Sequence, residues 1–161
     1  MALVAALCFG NANAQTPDGQ WGIGLTAGNS LGGHVAYAIN PGFHIGAGVG
    51  LALTSVSADG NSRSGNLLLF APYAKLILAG MKDMKPYFFG SFVLSSGKAA
   101  GAGESTTNTG LNLGAGAEYF ASRNVGIYGH LSVISLGFGD VSTTDIGLLT
   151  PQVGIEWFFN Q

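Results

Sequence analysis

The chain has 161 residues, room for one domain, with 47% hydrophobic residues, 9% charged and a formal net charge of −2. Soluble proteins carry about 25% charged residues, so an ordinary solvated surface is disfavoured, and the lack of a basic patch argues against a nucleic-acid partner. After the N-terminus no run reaches the roughly 18 apolar residues of a helical membrane span.

In chain order, Ala2 to Phe9 are apolar and Ala12-Asn13-Ala14 is a small-x-small site. They predict a secretory signal over residues 1–14 and a mature domain over 15–161. No Lys or Arg precedes the apolar stretch, so Met1 is read as lying downstream of the original start. Cys8, the single cysteine, falls in the segment to be removed, and no disulfide is expected. Bulky Leu7 before it disfavours a lipoprotein.

Eight extended segments follow, roughly at 20–28, 32–39, 43–55, 66–78, 86–96, 109–120, 125–136 and 145–159. The third sets Phe43, Ile45, Ala47, Val49, Leu51 and Leu53 against His44, Gly46, Gly48, Gly50, Ala52 and Thr54. The sixth repeats this pattern. Alternation with period two over such lengths is the mark of strands with unlike faces. Most of the 27 glycines suit a narrow barrel, where small lumen residues leave room for large neighbours. Pro72 and Pro151 fall within strands, where a ladder donor is lost, and predict local bulges.

Connections near residues 40–42, 80–85 and 121–124 read as tight turns. Those at 56–65, 97–108 and 137–144 read as longer loops rich in Gly, Ser, Thr and Asn. Short turns on one side and long loops on the other are the periplasmic and extracellular ends of an outer-membrane barrel. Both termini are then periplasmic. Trp21, Tyr37, Phe43, Tyr87, Phe88, Tyr119 and Trp157 lie near the inferred periplasmic ends and predict an interfacial aromatic girdle.

Charges are placed mainly in connections, Lys85 among them. Lys75, Glu118 and Glu156 are the exceptions, each inside a strand two to four residues from its periplasmic end. Turned inward, they predict a lumen ionic cluster with His44 close by, because a lysine facing lipid at mid-depth costs roughly 2–4 kcal/mol. In the last strand Val153, Ile155, Trp157 and Phe159 share the apolar face, opposite Gly154, Glu156 and Phe158.

Ala71-Pro72-Tyr73-Ala74-Lys75, then Lys85-Pro86-Tyr87-Phe88-Phe89-Gly90, then the Val153–Phe159 row occur in an order and spacing that resembles the small OmpA/OmpX-like outer-membrane barrels of the "porin family" type. The resemblance spans about residues 20–161. One departure is the ending Asn160-Gln161, where the family ends on the aromatic itself. The resemblance implies outer-membrane lipid as solvent and recognition of Val153, Ile155, Trp157 and Phe159 by the barrel-assembly machinery. It implies no single biochemical activity.

The expected fold is therefore all-β, an eight-stranded antiparallel up-and-down transmembrane barrel in the bacterial outer membrane, acting as a monomer. His34, His44 and His130 are read as lying at different depths without a Ser-His-Asp arrangement, and Asp140 and Asp145 as loop charges, so an enzyme is not expected. No His or Cys pair has metal-ligand spacing and no cofactor is expected. The leading function is a structural or surface-interaction role through the extracellular loops, whose ligand the sequence leaves unknown. A narrow pore for small solutes is the first alternative and a soluble lipocalin-like carrier the second. An eight-stranded interior is just wide enough for side chains to fill, which weighs against free diffusion.

Overall fold

The computed structural model describes residues 18–28, 31–58, 61–80, 82–98, 104–122, 124–139 and 143–159. The predicted signal at 1–14, Asp140 and the two terminal residues lie outside them. The strands are β1 (Gln20–Ala27), β2 (Leu31–Asn40), β3 (Phe43–Ala58), β4 (Asn61–Ile77), β5 (Met84–Lys98), β6 (Thr106–Phe120), β7 (Val125–Gly139) and β8 (Thr143–Phe159). Each pairs antiparallel with its sequence neighbours, and β1 pairs with β8 to close the barrel.

Closure uses the C-terminal row: Trp21 faces Phe159, Ile23 faces Trp157 and Leu25 faces Ile155. The turn before β7 fastens that end, since Asn124 Nδ2 donates to Phe158 O and Phe158 N donates to Asn124 O, both at 2.8 Å.

The faces follow the alternation. Val153, Ile155 and Trp157 are 59%, 45% and 54% exposed, whereas Glu156 and Phe158 are 1% and 0% exposed. On β4, Leu68, Phe70 and Leu76 point outward and Lys75 is buried. The barrel is thus apolar outside and charged inside, the reverse of a soluble protein.

Three expectations need correction. The strands run further than the alternation indicates: β3 reaches Ala58, β4 starts at Asn61, β6 at Thr106 and β8 at Thr143. The segments read as long loops at 56–65 and 137–144 are therefore largely strand, and the one at 97–108 is strand at both ends. Outside a membrane both faces of a hairpin are wet, so alternation fades while the backbone ladder continues. The 16 and 17 residues of β3 and β4 amount to roughly 50 Å of strand, against an apolar band about 25 Å tall.

The second correction concerns proline. The β4–β5 ladder is interrupted at Ala71 and Pro72 but resumes in the same register, Phe70 facing Leu94 and then Tyr73 facing Ser91. No bulge is needed there. At Pro151 the register does shift, from Ser132–Thr150 to Ile134–Ile146.

The third concerns the girdle. Trp21, Phe88, Tyr119 and Trp157 are exposed on the outer face, with Trp21 packed on Tyr37 at 4.9 Å between ring centroids. Tyr37 and Phe43 are half-buried on the same face. Tyr87 is 1% exposed and faces the lumen. Adjacent residues of a strand point to opposite faces, so Tyr87 and Phe88 cannot share a girdle.

Candidate functional site

Inside, the barrel is divided by a floor of charged and aromatic side chains. Below it, Ala36, Ala38, Phe120 and Phe158 form a packed apolar cluster at the end carrying the termini. Above it, the lumen opens into a cavity of about 320 Å³ that rises along β4 from Lys75 to Leu67.

Lys75 is the centre of the floor. Its Nζ donates to Glu156 Oε1 at 2.6 Å and to Glu118 Oε2 at 3.4 Å. The three strands are β4, β6 and β8, so one ammonium spans the barrel. The same Nζ lies 4.6 Å from the Tyr128 ring centroid, 5.2 Å from Tyr87 and 5.9 Å from Tyr73. Cation–π contacts of this kind gain strength where water is excluded.

His34 completes the cluster, with Nε2 2.9 Å from Glu156 Oε1. One strand, β1, separates the pair, and its Gly24 faces both His34 and Glu156 in register. Gly24 has no side chain, and a Cβ there would collide with the His34 ring. The imidazole crosses over the bare backbone. Tyr128 lies over Gly154 in the same fashion. Its hydroxyl hydrogen-bonds Thr26 Oγ1 at 2.5 Å.

Of the residues assigned to the ionic cluster from sequence, the structure brings Lys75, Glu118 and Glu156 together. His44 faces Lys75 across β3–β4 and is fully buried. Neither of its ring nitrogens has a hydrogen-bond partner among the described residues. Its ring instead packs edge-on against Phe158 at 5.6 Å, so it sits beneath the ion pairs.

Two further residues went unrecognised in the sequence. Lys85 lies inside β5, is 2% exposed and faces Glu118 in register. Its proximity to the Gly80 turn disguised it, although the Lys85-Tyr87-Phe89 alternation marks it as inward. His34 was read as remote from His130, yet both border Tyr128, at 5.9 and 5.8 Å between centroids. His130 also bonds Tyr87 Oη at 2.9 Å and Gln152 Oε1 at 3.2 Å. Barrel strands are staggered by the shear, so equal counts along two strands are not equal depths.

Among the described residues no group of three or more His, Cys, Asp or Glu could hold a metal ion.

No protein-family model matches the chain, and no curated protein does. Solved structures do. The N-terminal β-barrel domain of Pseudomonas aeruginosa OprF aligns with a TM-score of 0.59 at 14% identity, covering 88% of this chain and 98% of that domain. Neisserial surface protein A aligns at 0.56 and 12% identity, covering 87% and 94%. A major outer membrane protein from Thermus thermophilus aligns at 0.53 and 15% identity, covering 87% and 99%. The fold is that of the small eight-stranded outer-membrane barrels.

Proposed function

We propose that this protein is a non-enzymatic barrel of the bacterial outer membrane, with a structural or surface-interaction role at the end where β3–β4, β5–β6 and β7–β8 turn. The observation that carries this reading is the inverted polarity: Ile155 and Trp157 face out while Lys75, Lys85, Glu118 and Glu156 are buried inside. A soluble lipocalin-like carrier would place charges outside, so the inversion counts against that alternative. Likeness in fold to outer-membrane barrels supports the same location.

Both termini belong on the periplasmic side, with outer-membrane lipid around the Trp21 and Trp157 belt. Val153, Ile155, Trp157 and Phe159 serve as the row read by the barrel-assembly machinery. The role in contact with other molecules falls to the hairpin ends, toward which the paired strands β3–β4 and β7–β8 run beyond the apolar band.

The pore reading draws on the open upper lumen, but the Lys75–Glu156 floor and the Phe120–Phe158 packing beneath it obstruct free diffusion. Planar-bilayer recording of the refolded protein, beside heat-modifiable gel mobility after detergent extraction of outer membranes, tests the reading. The expected result is a heat-modifiable band from the outer-membrane fraction without steady conductance. A stable conducting level would favour the pore, and a soluble protein would overturn the membrane assignment.

A further inference from the structure

The cavity above the floor has two unlike walls. On β4 and β5 it is lined by Leu67, Leu69 and Val93, with Ser91 and its register partner Asn112 beside them, and across the lumen by Ser132 and Gln152. The polar groups there keep capacity to spare. Gln152 is engaged through Oε1, by His130, and Asn112 through Oδ1, by Ser135 Oγ at 2.7 Å, and among the described residues neither amide nitrogen has a partner. At the base, the rings of Phe89 and His130 lie 4.2 Å apart and Tyr128 stacks on His130 at an interplanar angle of 13°.

A lumen filled by its own side chains would leave no such volume. An apolar wall, a hydrogen-bonding wall and an aromatic base instead match a flat molecule with one polar edge, and about 320 Å³ lies in the size range of ligand pockets. The cation of the floor is already committed, Lys75 to Glu156 and Glu118, while Glu156 Oε2 and Glu118 Oε1 have no partner among the described residues. An anionic ligand would meet these carboxylates with Lys75, the one cation lining the cavity among the described residues, already paired, which is costly.

We infer that the upper lumen is a binding site for small, neutral aromatic or heterocyclic molecules, seated between Leu67 and Leu69 on one side and Ser132 and Gln152 on the other, with Asn112 at its edge. The site depends on the lumen geometry and not on any partner at the hairpin ends. It could therefore stand where a surface role failed.

The probe is indole, a neutral bicycle with one N–H on its edge, titrated into ¹⁵N-labelled protein refolded in micelles at two detergent concentrations. Saturable shifts are expected at the amides of Ser91, Asn112 and Gln152, with a midpoint independent of detergent. Gly48→Leu fills the cavity: a Cβ at Gly48 meets nothing closer than 3.6 Å, from His34 Cβ. It should weaken binding at least tenfold. Ala71→Leu, on the facing strand residue, tests the same point if Gly48→Leu does not fold. Indole-3-acetate should bind at least tenfold more weakly than indole. Shifts confined to outward residues such as Ile23 and Val153, or unchanged affinity in the filled variants, would overturn the site. Equal affinity for the carboxylate would overturn the preference for neutral ligands.

Discussion

His34 on β2 hydrogen-bonds Glu156 on β8 at 2.9 Å by crossing Gly24, the β1 residue that lies between them. The contact joins β2 and β8, the two neighbours of β1, across the seam where the barrel closes, and it exists because one position has no side chain. With Lys75 on the same carboxylate oxygen at 2.6 Å, it ties β2, β4 and β8 through a single group.

Substitution at the crossing point should break the contact. Gly24→Val places a branched side chain where the His34 ring lies and against the Ile155 carbonyl, so it should cost at least about 1–3 kcal/mol, the value of a lost buried hydrogen bond to a charged group. Gly33→Ala is the control, since a Cβ there meets nothing closer than 3.6 Å and a change of about 0.5 kcal/mol or less is expected. Urea unfolding in lipid vesicles measures both. Equal stability of the two variants would remove His34 from the floor.

Lys75→Met should be the more damaging change. It leaves Glu118 and Glu156 facing each other, both almost wholly buried, and breaking a buried pair by removing one partner costs about 3–5 kcal/mol. A double-mutant cycle between Lys75 and Glu156 separates this from simple loss of packing. Coupling indistinguishable from zero, with Glu118 uncoupled as well, would mean separate charges instead of one ionic plug.

Trp157→Asp puts a carboxylate on the outer face, where Trp157 is 54% exposed and packed against Phe159. The folded fraction recovered from outer membranes should fall, and Phe159→Ala should lower it less. Wild-type yield of the Asp variant would show that this face does not meet lipid.

Orientation is checked by tags. One near Gly60 or Gly103 should be labelled on intact cells, and one near Lys82 or Arg123 only after the outer membrane is permeabilised. Labelling of the Lys82 tag on intact cells would invert the topology.

Strand count, facing and the inward turn of Lys75, Glu118 and Glu156 were legible along the chain, because period-two alternation is a local property and each strand separates lipid from lumen by itself. Pro72 and the hairpin ends were misread for a related reason: where the outer face is no longer lipid, or pairing simply skips a residue, the pattern carries no sign of whether the ladder goes on. Lys85 and Tyr87 were hidden by a turn boundary drawn two residues too late, which put Lys85 in a connection and Tyr87 on the girdle.

What the sequence by itself determined is a barrel with an apolar exterior and charges within, since alternation and charge placement leave few other ways to satisfy both faces. Which side chains meet across the lumen was decided only by the tertiary structure. Closure sets the stagger between strands, and that stagger brings His34 to Glu156 and His130 to Tyr87 from positions whose separation along the chain has no bearing on their depth.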